Sequence, residues 1–121
     1  MNKQQKLIAE FLKSRGWDKH GTPANYAKSI AIEAGELLEH YQWDNPDMAE
    51  LKKDKKKLAE TKKELADVLI YCLDFCVMLG VDVEKLIEAK MAYNARKYPL
   101  KKVKNNMDEY YKIKKRYRGK K

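Results

Sequence analysis

Residues 64–79 read ELADVLIYCLDFCVML, and their pattern decides the fold. Three charged residues, Glu64, Asp67 and Asp74, stand in a segment that is otherwise apolar or weakly polar. Their spacings of 3 and 7 put all three on one stripe of a helix. A helix apolar on its remaining sides is normally buried, and an isolated carboxylate is very costly to bury. These carboxylates must therefore be protonated, paired with cations or bound to metal. The alternative, that the stripe faces solvent, requires an unusually narrow solvent face.

Helical signals extend to both sides of this segment. Leu7, Ile8, Phe11 and Leu12 repeat at amphipathic spacing over residues 2–15, which Gly16 ends. Thr22 and Pro23 form a cap and first-turn pair, predicting a second helix from Pro23 to Gln42 with Ile30, Ala34, Leu37 and Tyr41 as its inner stripe. The lysine-rich residues 48–63 predict an exposed helix or a connection, with a possible break near the middle of 48–79. Gly80 terminates the apolar helix, Asp82 caps the next, and Val83, Leu86, Ile87 and Met91 give that one its apolar face up to Pro99. No period-2 pattern or internal repeat appears. The expected fold is all-α, a four-helix bundle.

The chain has 121 residues, which suits one small domain, 44% hydrophobic and 37% charged. Its net charge of +9 is unevenly spread: residues 1–99 hold 17 basic and 16 acidic groups, whereas residues 100–121 hold 10 and 2. The expected organisation is a nearly neutral domain over 1–99 and a solvated basic tail over 100–121, with nucleic acid not the expected partner. No apolar run reaches the roughly 20 residues of a membrane span, and MNKQQKLIAE offers no signal-peptide core. Cys72 and Cys76, four apart in the apolar helix, suit core positions rather than a disulfide scaffold or zinc site, so the expected compartment is a reducing cytoplasm.

The second helix supplies a matching set of acids. Glu33 and Glu36 are three apart within IEAGELLEH, and Glu39 continues that side, with His40 as an outer neighbour. Gly35 leaves the surface open for close approach. Two i, i+3 carboxylate pairs on facing helices make an all-oxygen site suited to the hard cations Mg²⁺ and Mn²⁺ rather than zinc. No His pairs with a Glu at i+3 within the set, unlike the di-iron bundles.

Glu33-Ala34-Gly35-Glu36, followed after 27 residues by Glu64-Leu65-Ala66-Asp67, resembles the E-x-x-E … E-x-x-D signature of the MazG-like all-α nucleoside triphosphate pyrophosphohydrolases. The segments IEAGELLEHYQW and ELADVLIY are similar to the motif helices of the single-motif branch, which includes the dCTP pyrophosphatases. So are Lys90, Met91, Asn94, Lys97, Tyr98 and Pro99 (K-M-x-x-N-x-x-K-Y-P), and Trp17, Pro23 and Asn25 (W-x5-P-x-N). The resemblance covers roughly residues 5–99.

The resemblance implies hydrolysis of an NTP or dNTP to the monophosphate and pyrophosphate. It implies Glu33, Glu36, Glu64 and Asp67 as the catalytic, Mg²⁺-holding carboxylates. Lys90, Asn94, Lys97 and Tyr98 would contact phosphate, with Arg96 and Lys28 as lesser candidates. Trp43 and Trp17 would stack on the base, His20 and Asn25 would offer hydrogen bonds to base or sugar, and Tyr71 would line the pocket. In the dCTP-specific relatives a His follows the Trp by four residues. Here His20 follows Trp17 by three and Gly21 takes the expected place, so cytosine selectivity is not carried over. The excess apolar surface of helix 64–79, together with the resemblance, implies a homo-oligomer, tetramer or dimer, with Trp43 or Trp17 near an interface.

Overall fold

The computed structural model describes residues 1–119; Lys120 and Lys121, the last residues of the expected tail, lie outside the described residues. Among the described residues every regular element is helical. They are α1 (Lys3–Ser14), a 3-10 turn (Trp17–Lys19), α2 (Pro23–Glu39), α3 (Met48–Lys53), α4 (Lys55–Leu79), α5 (Val83–Lys97), α6 (Leu100–Val103) and α7 (Met107–Arg118). The chain groups into two compact units, Met1–Val83 and Glu84 onward.

In the first unit, α1, α2 and α3 all pack against α4. The pairs Tyr26–Phe75, Tyr41–Thr61 and Asp44–Lys57 show that α2 and α4 run antiparallel. Caps set the helix starts. Asn2 accepts from the Gln5 N–H at 2.9 Å, Thr22 from the Asn25 N–H at 3.1 Å, and Asp47 from the Glu50 N–H at 2.8 Å. The break in the 48–79 segment comes at Asp54, nearer its start than its middle. Its extended backbone ends α3, and its side chain caps α4 through the Lys57 N–H at 3.1 Å. Gly80, at φ 71°, closes α4 in the left-handed conformation that glycine adopts without strain.

Two expectations for α2 need correction. The helix stops at Glu39 rather than Gln42, because His40, Tyr41 and Gln42 bond back three residues and tighten into turns. Ala34 is exposed; the inward stripe runs through Tyr26, Ile30, Glu33 and Leu37. A half-buried glutamate thus occupies a place in an apolar stripe. Gly35 has no neighbour within 4 Å of where a side chain would start, so no other part of the chain makes a close approach there.

The turn after α4 is held by Gln5, a residue with no exposed surface. Its Nε2 donates to the Val81 carbonyl at 2.8 Å, and its Oε1 accepts from the Val83 N–H at 3.0 Å and the Asn2 N–H at 3.2 Å. The N-terminal amine pairs with Asp82 at 3.3 Å beside it. One amide side chain therefore fastens the start of α1 to the end of α4. The second unit is organised around Ile113, with Tyr98 against Tyr110 and Tyr93 edge-on to Tyr117. The basic segment beyond Pro99, expected as a solvated end, is helical over α6 and α7 because Asn106 caps the Glu109 N–H at 3.1 Å and Ile113 is buried. Leu86, Ile87 and Met91 remain exposed.

Gln5→Ala leaves a buried carbonyl and N–H without partners. The expected loss of unfolding free energy in a urea titration is about 1–3 kcal/mol; an unchanged midpoint would show that the clamp is dispensable.

Candidate active site

Glu33 on α2 and Glu64 and Asp67 on α4 are brought together by the antiparallel packing of the two helices. Each is half-buried, and each offers a carboxylate oxygen within 4.8 Å of the others. Oε2 of Glu33 and Oε2 of Glu64 are buried without a hydrogen-bond partner. Glu36, one turn on from Glu33, is exposed but reaches back to it. Burial raises the pKa of Glu33 above the usual carboxylate range, helped by a hydrogen bond with Glu36 and by the charges of Glu36, Asp67 and Glu64. The four acids predicted from sequence therefore share one electrostatic neighbourhood. His40 adjoins it, with Nε2 3.6 Å from Glu64 and Nδ1 3.5 Å from Glu60; Glu39 is exposed.

Clustered carboxylates with orphaned oxygens repel one another unless a cation lies between them. The donor set is all oxygen, from side chains on two rigid helices, which fits a hard divalent ion. A structural cluster would instead place a lysine or arginine among the acids, and among the described residues no lysine or arginine ion pair to Glu33, Glu64 or Asp67 is formed. Lys57 on α4 pairs with Asp44.

Beside the carboxylates lies a cleft of about 850 Å³, within the range of small-molecule sites. Asp67 and Tyr71 line it from α4, and Trp17, His20 and Asn25 line it from the 3-10 turn and the start of α2. Four of the five expected base contacts thus border one cavity that includes a cluster carboxylate. Phe11 braces the Trp17 ring edge-on, with centroids 5.8 Å apart. Trp43 stands apart from this cleft, 89% exposed on the turn after α2.

The inner end of the cleft was not legible as such in the sequence. Asp74, counted with the α4 stripe, is buried and lines the cleft, and its Oδ1 has no hydrogen-bond partner. Burial raises its pKa, opposed by a hydrogen bond from Tyr26. Tyr26 stacks on Phe75 at 5.1 Å, and its hydroxyl is pushed up to about 12 by burial, then by the charge and hydrogen bonding of Asp74 and the charge of Asp18. A side chain at Gly21 would overlap the Tyr26 ring, so glycine is required there. Cys72 and Cys76 are free thiols, and burial raises the pKa of Cys76, as expected for an inert core position.

The expected phosphate contacts belong to the second unit. Lys90 lies 4.5 Å from the Tyr93 ring centre, and Lys97 lies 5.2 Å from Tyr98 and 4.8 Å from Tyr117. Asn94 and Tyr98 are half-buried, whereas Arg96 is exposed; Lys28, on α2, is also exposed.

The model of the MazG-like family matches residues 28–113, which include all four clustered acids. The chain belongs to the MazG-like family. It is 32% identical over 97 residues to dCTP pyrophosphatase 1 of Rattus norvegicus, covering 79% of this chain and 57% of that protein. With dCTP pyrophosphatase 1 of Homo sapiens it shares 30% identity over 107 residues, covering 88% of this chain and 63% of the human protein. The chain therefore spans about three fifths of the length of these relatives. A crystal structure of a pyrophosphatase from Archaeoglobus fulgidus superposes with a TM-score of 0.68 and 41% identity, over 78% of this chain and 87% of that one.

If these acids are poised for a cation rather than for fold stability, metal-free Glu33→Gln should melt at or above wild type, because repulsion and desolvation are both relieved. A lower melting temperature in the presence of EDTA would assign the cluster a structural role.

Proposed function

We propose that this member of the MazG-like family is a nucleotide pyrophosphohydrolase that converts a (d)NTP and water to the (d)NMP and pyrophosphate. The observation that carries the reading is the meeting of Glu33, Glu64 and Asp67 within 4.8 Å, with buried oxygens left unpartnered. The activities for which its relatives are named, dCTP pyrophosphatase and pyrophosphatase, support the same chemistry.

Glu33, Glu36, Glu64 and Asp67 would hold Mg²⁺, with Mn²⁺ as a substitute. When bound, the ion supplies positive charge for the triphosphate and lowers the pKa of an attacking water. One of the same carboxylates would take the proton from the water that attacks the phosphoanhydride joining the α- and β-phosphates. Breaking the bond between the α- and β-phosphates then releases pyrophosphate. The cleft beside Asp67 receives the nucleoside: Trp17 offers a flat apolar face, His20 and Asn25 offer hydrogen bonds, and Tyr71 forms the wall between phosphate and base. Lys90, Asn94, Lys97 and Tyr98 are proposed phosphate contacts.

The finer architecture belongs to the same proposal. A four-helix core assembled as a homo-oligomer, tetramer or dimer, would cover the exposed Leu65 and Leu69 of α4 and the exposed Leu86, Ile87 and Met91 of α5. It would also give the exposed Trp43 a neighbour, so that its ring could stack on a base. Among the described residues no helix is long and apolar enough to cross a membrane. With two free thiols, a cytoplasmic role in clearing surplus or unwanted nucleotides is the reading we favour.

Two measurements test this. Pyrophosphate release from a panel of dNTPs with Mg²⁺ should be readily detected and should fall by orders of magnitude in Glu64→Gln. Release of inorganic phosphate instead, or a rate indifferent to the substitution, would contradict the reaction. Light scattering at micromolar concentration should give a multiple of the 14.2 kDa chain mass; a monomer that still hydrolyses dNTPs would overturn the assembly alone.

A further inference from the structure

We propose that Asp74 selects the substrate by its base, its unpartnered Oδ1 accepting a hydrogen bond from an exocyclic amino group of a nucleobase lying in the cleft. The inference rests on the nucleotide-hydrolase reading above and adds to it the residue that sorts substrates and the class that it favours, amino-bearing bases such as cytosine.

Asp74 is only 6% exposed, yet it lines the cleft, and Oδ1 has no hydrogen-bond partner. A buried carboxylate oxygen without a donor is unfavourable, and a ligand that brings a donor removes that cost. The group is also fixed in place. Tyr26 bonds the same carboxylate, stacks on Phe75 and fills the space beside Gly21, so Asp74 has little freedom to turn away.

Its position along the helix suits the base rather than the phosphates or the sugar. Asp74 lies two turns beyond Asp67 on one face of α4, about 10 Å along the axis. Tyr71 stands one turn beyond Asp67, between the two, and all three line the same cleft. A nucleotide anchored by its phosphates at Asp67 would pass its sugar by Tyr71 and bring the base edge to Asp74. Ionised or protonated, the carboxyl group keeps an acceptor oxygen for an amino donor. A base with a carbonyl in that position would set oxygen against oxygen. A site built around a hydrogen bond discriminates strongly against a ligand that leaves its buried polar group unpaired.

dCTP and dUTP differ at C4, amino against carbonyl, and in the hydrogen on N3, so their ratio of kcat/KM, read in wild type against the Asp74 variant, is the readout. Wild type should favour dCTP by about 10- to 100-fold, the range for a hydrogen bond to a charged partner. In Asp74→Asn, whose amide both donates and accepts, the ratio should fall to near one or invert, mainly through KM. An unchanged ratio, or a wild type that prefers dUTP, overturns the proposal. Should Asp74→Asn fail to fold by circular dichroism, Asp74→Ser takes its place, and binding of deoxycytidine and deoxyuridine to wild type and to that variant decides it, followed by intrinsic tryptophan fluorescence. Tighter deoxycytidine binding is expected in wild type alone. Equal or absent binding of the two by wild type, or a preference that the variant keeps, overturns it. Absence of pyrophosphate release from every dNTP would refute the enzyme reading instead, and the nucleoside comparison would still decide the role of Asp74.

Discussion

The rest of the structure depends on holding several carboxylates close together with no lysine or arginine paired to them among the described residues, His40 beside Glu64 being the one basic neighbour. Left to themselves, Glu33, Glu64 and Asp67 would separate into solvent. They stay together because α2 and α4 are joined on both sides of them. Toward one end the Tyr41–Thr61 hydrogen bond and the Asp44–Lys57 ion pair tie the turn after α2 to the first half of α4. Toward the other, Tyr26 stacks on Phe75 and bonds Asp74. The helices therefore act as two rigid rails, and the acids between them keep the spacing that a hard cation requires.

The same rails form the cleft. Because Asp67, Tyr71 and Asp74 recur at three- and four-residue steps, one face of α4 carries a charge, a phenol and a second charge into a single cavity. Trp17, braced by Phe11, comes from the turn between α1 and α2, and this connection is short because Gly16, at φ 70°, reverses the chain sharply after α1. The clustered acids and the cleft-lining aromatic and polar groups, to which we propose metal- and base-binding roles, thus converge without any glycine-rich phosphate loop.

What the sequence revealed here, and what it hid, follow from the range of each interaction. The carboxylate pairs were legible because helical periodicity is local: once 23–39 and 55–79 are helices, the i, i+3 spacing fixes which acids share a face. The caps at Thr22 and the stop at Gly80 were legible for the same reason. The inner stripe of α2 was misplaced at Ala34, since the apolar pattern alone does not show that a glutamate occupies an inward position. Gln5 gave no signal at all, because its partners Val81 and Val83 are more than 70 residues away and are backbone groups. The Tyr26–Asp74 contact, joining the start of α2 to the end of α4, was hidden likewise. The helical state of residues 107–118 was masked by their charge, because one buried residue, Ile113, anchors a segment that is otherwise dominated by basic and acidic groups.

The central claim, that these acids hold the ion on which the phosphates rest, is tested most directly by crystallising the protein with Mn²⁺ and a non-hydrolysable dNTP analogue and locating the metal by its anomalous signal. The expected result is a metal peak within coordination distance of oxygens from Glu33, Glu64 and Asp67, bridged to the triphosphate. A triphosphate bound elsewhere, or a cluster that stays free of metal while nucleotide is bound, would contradict it.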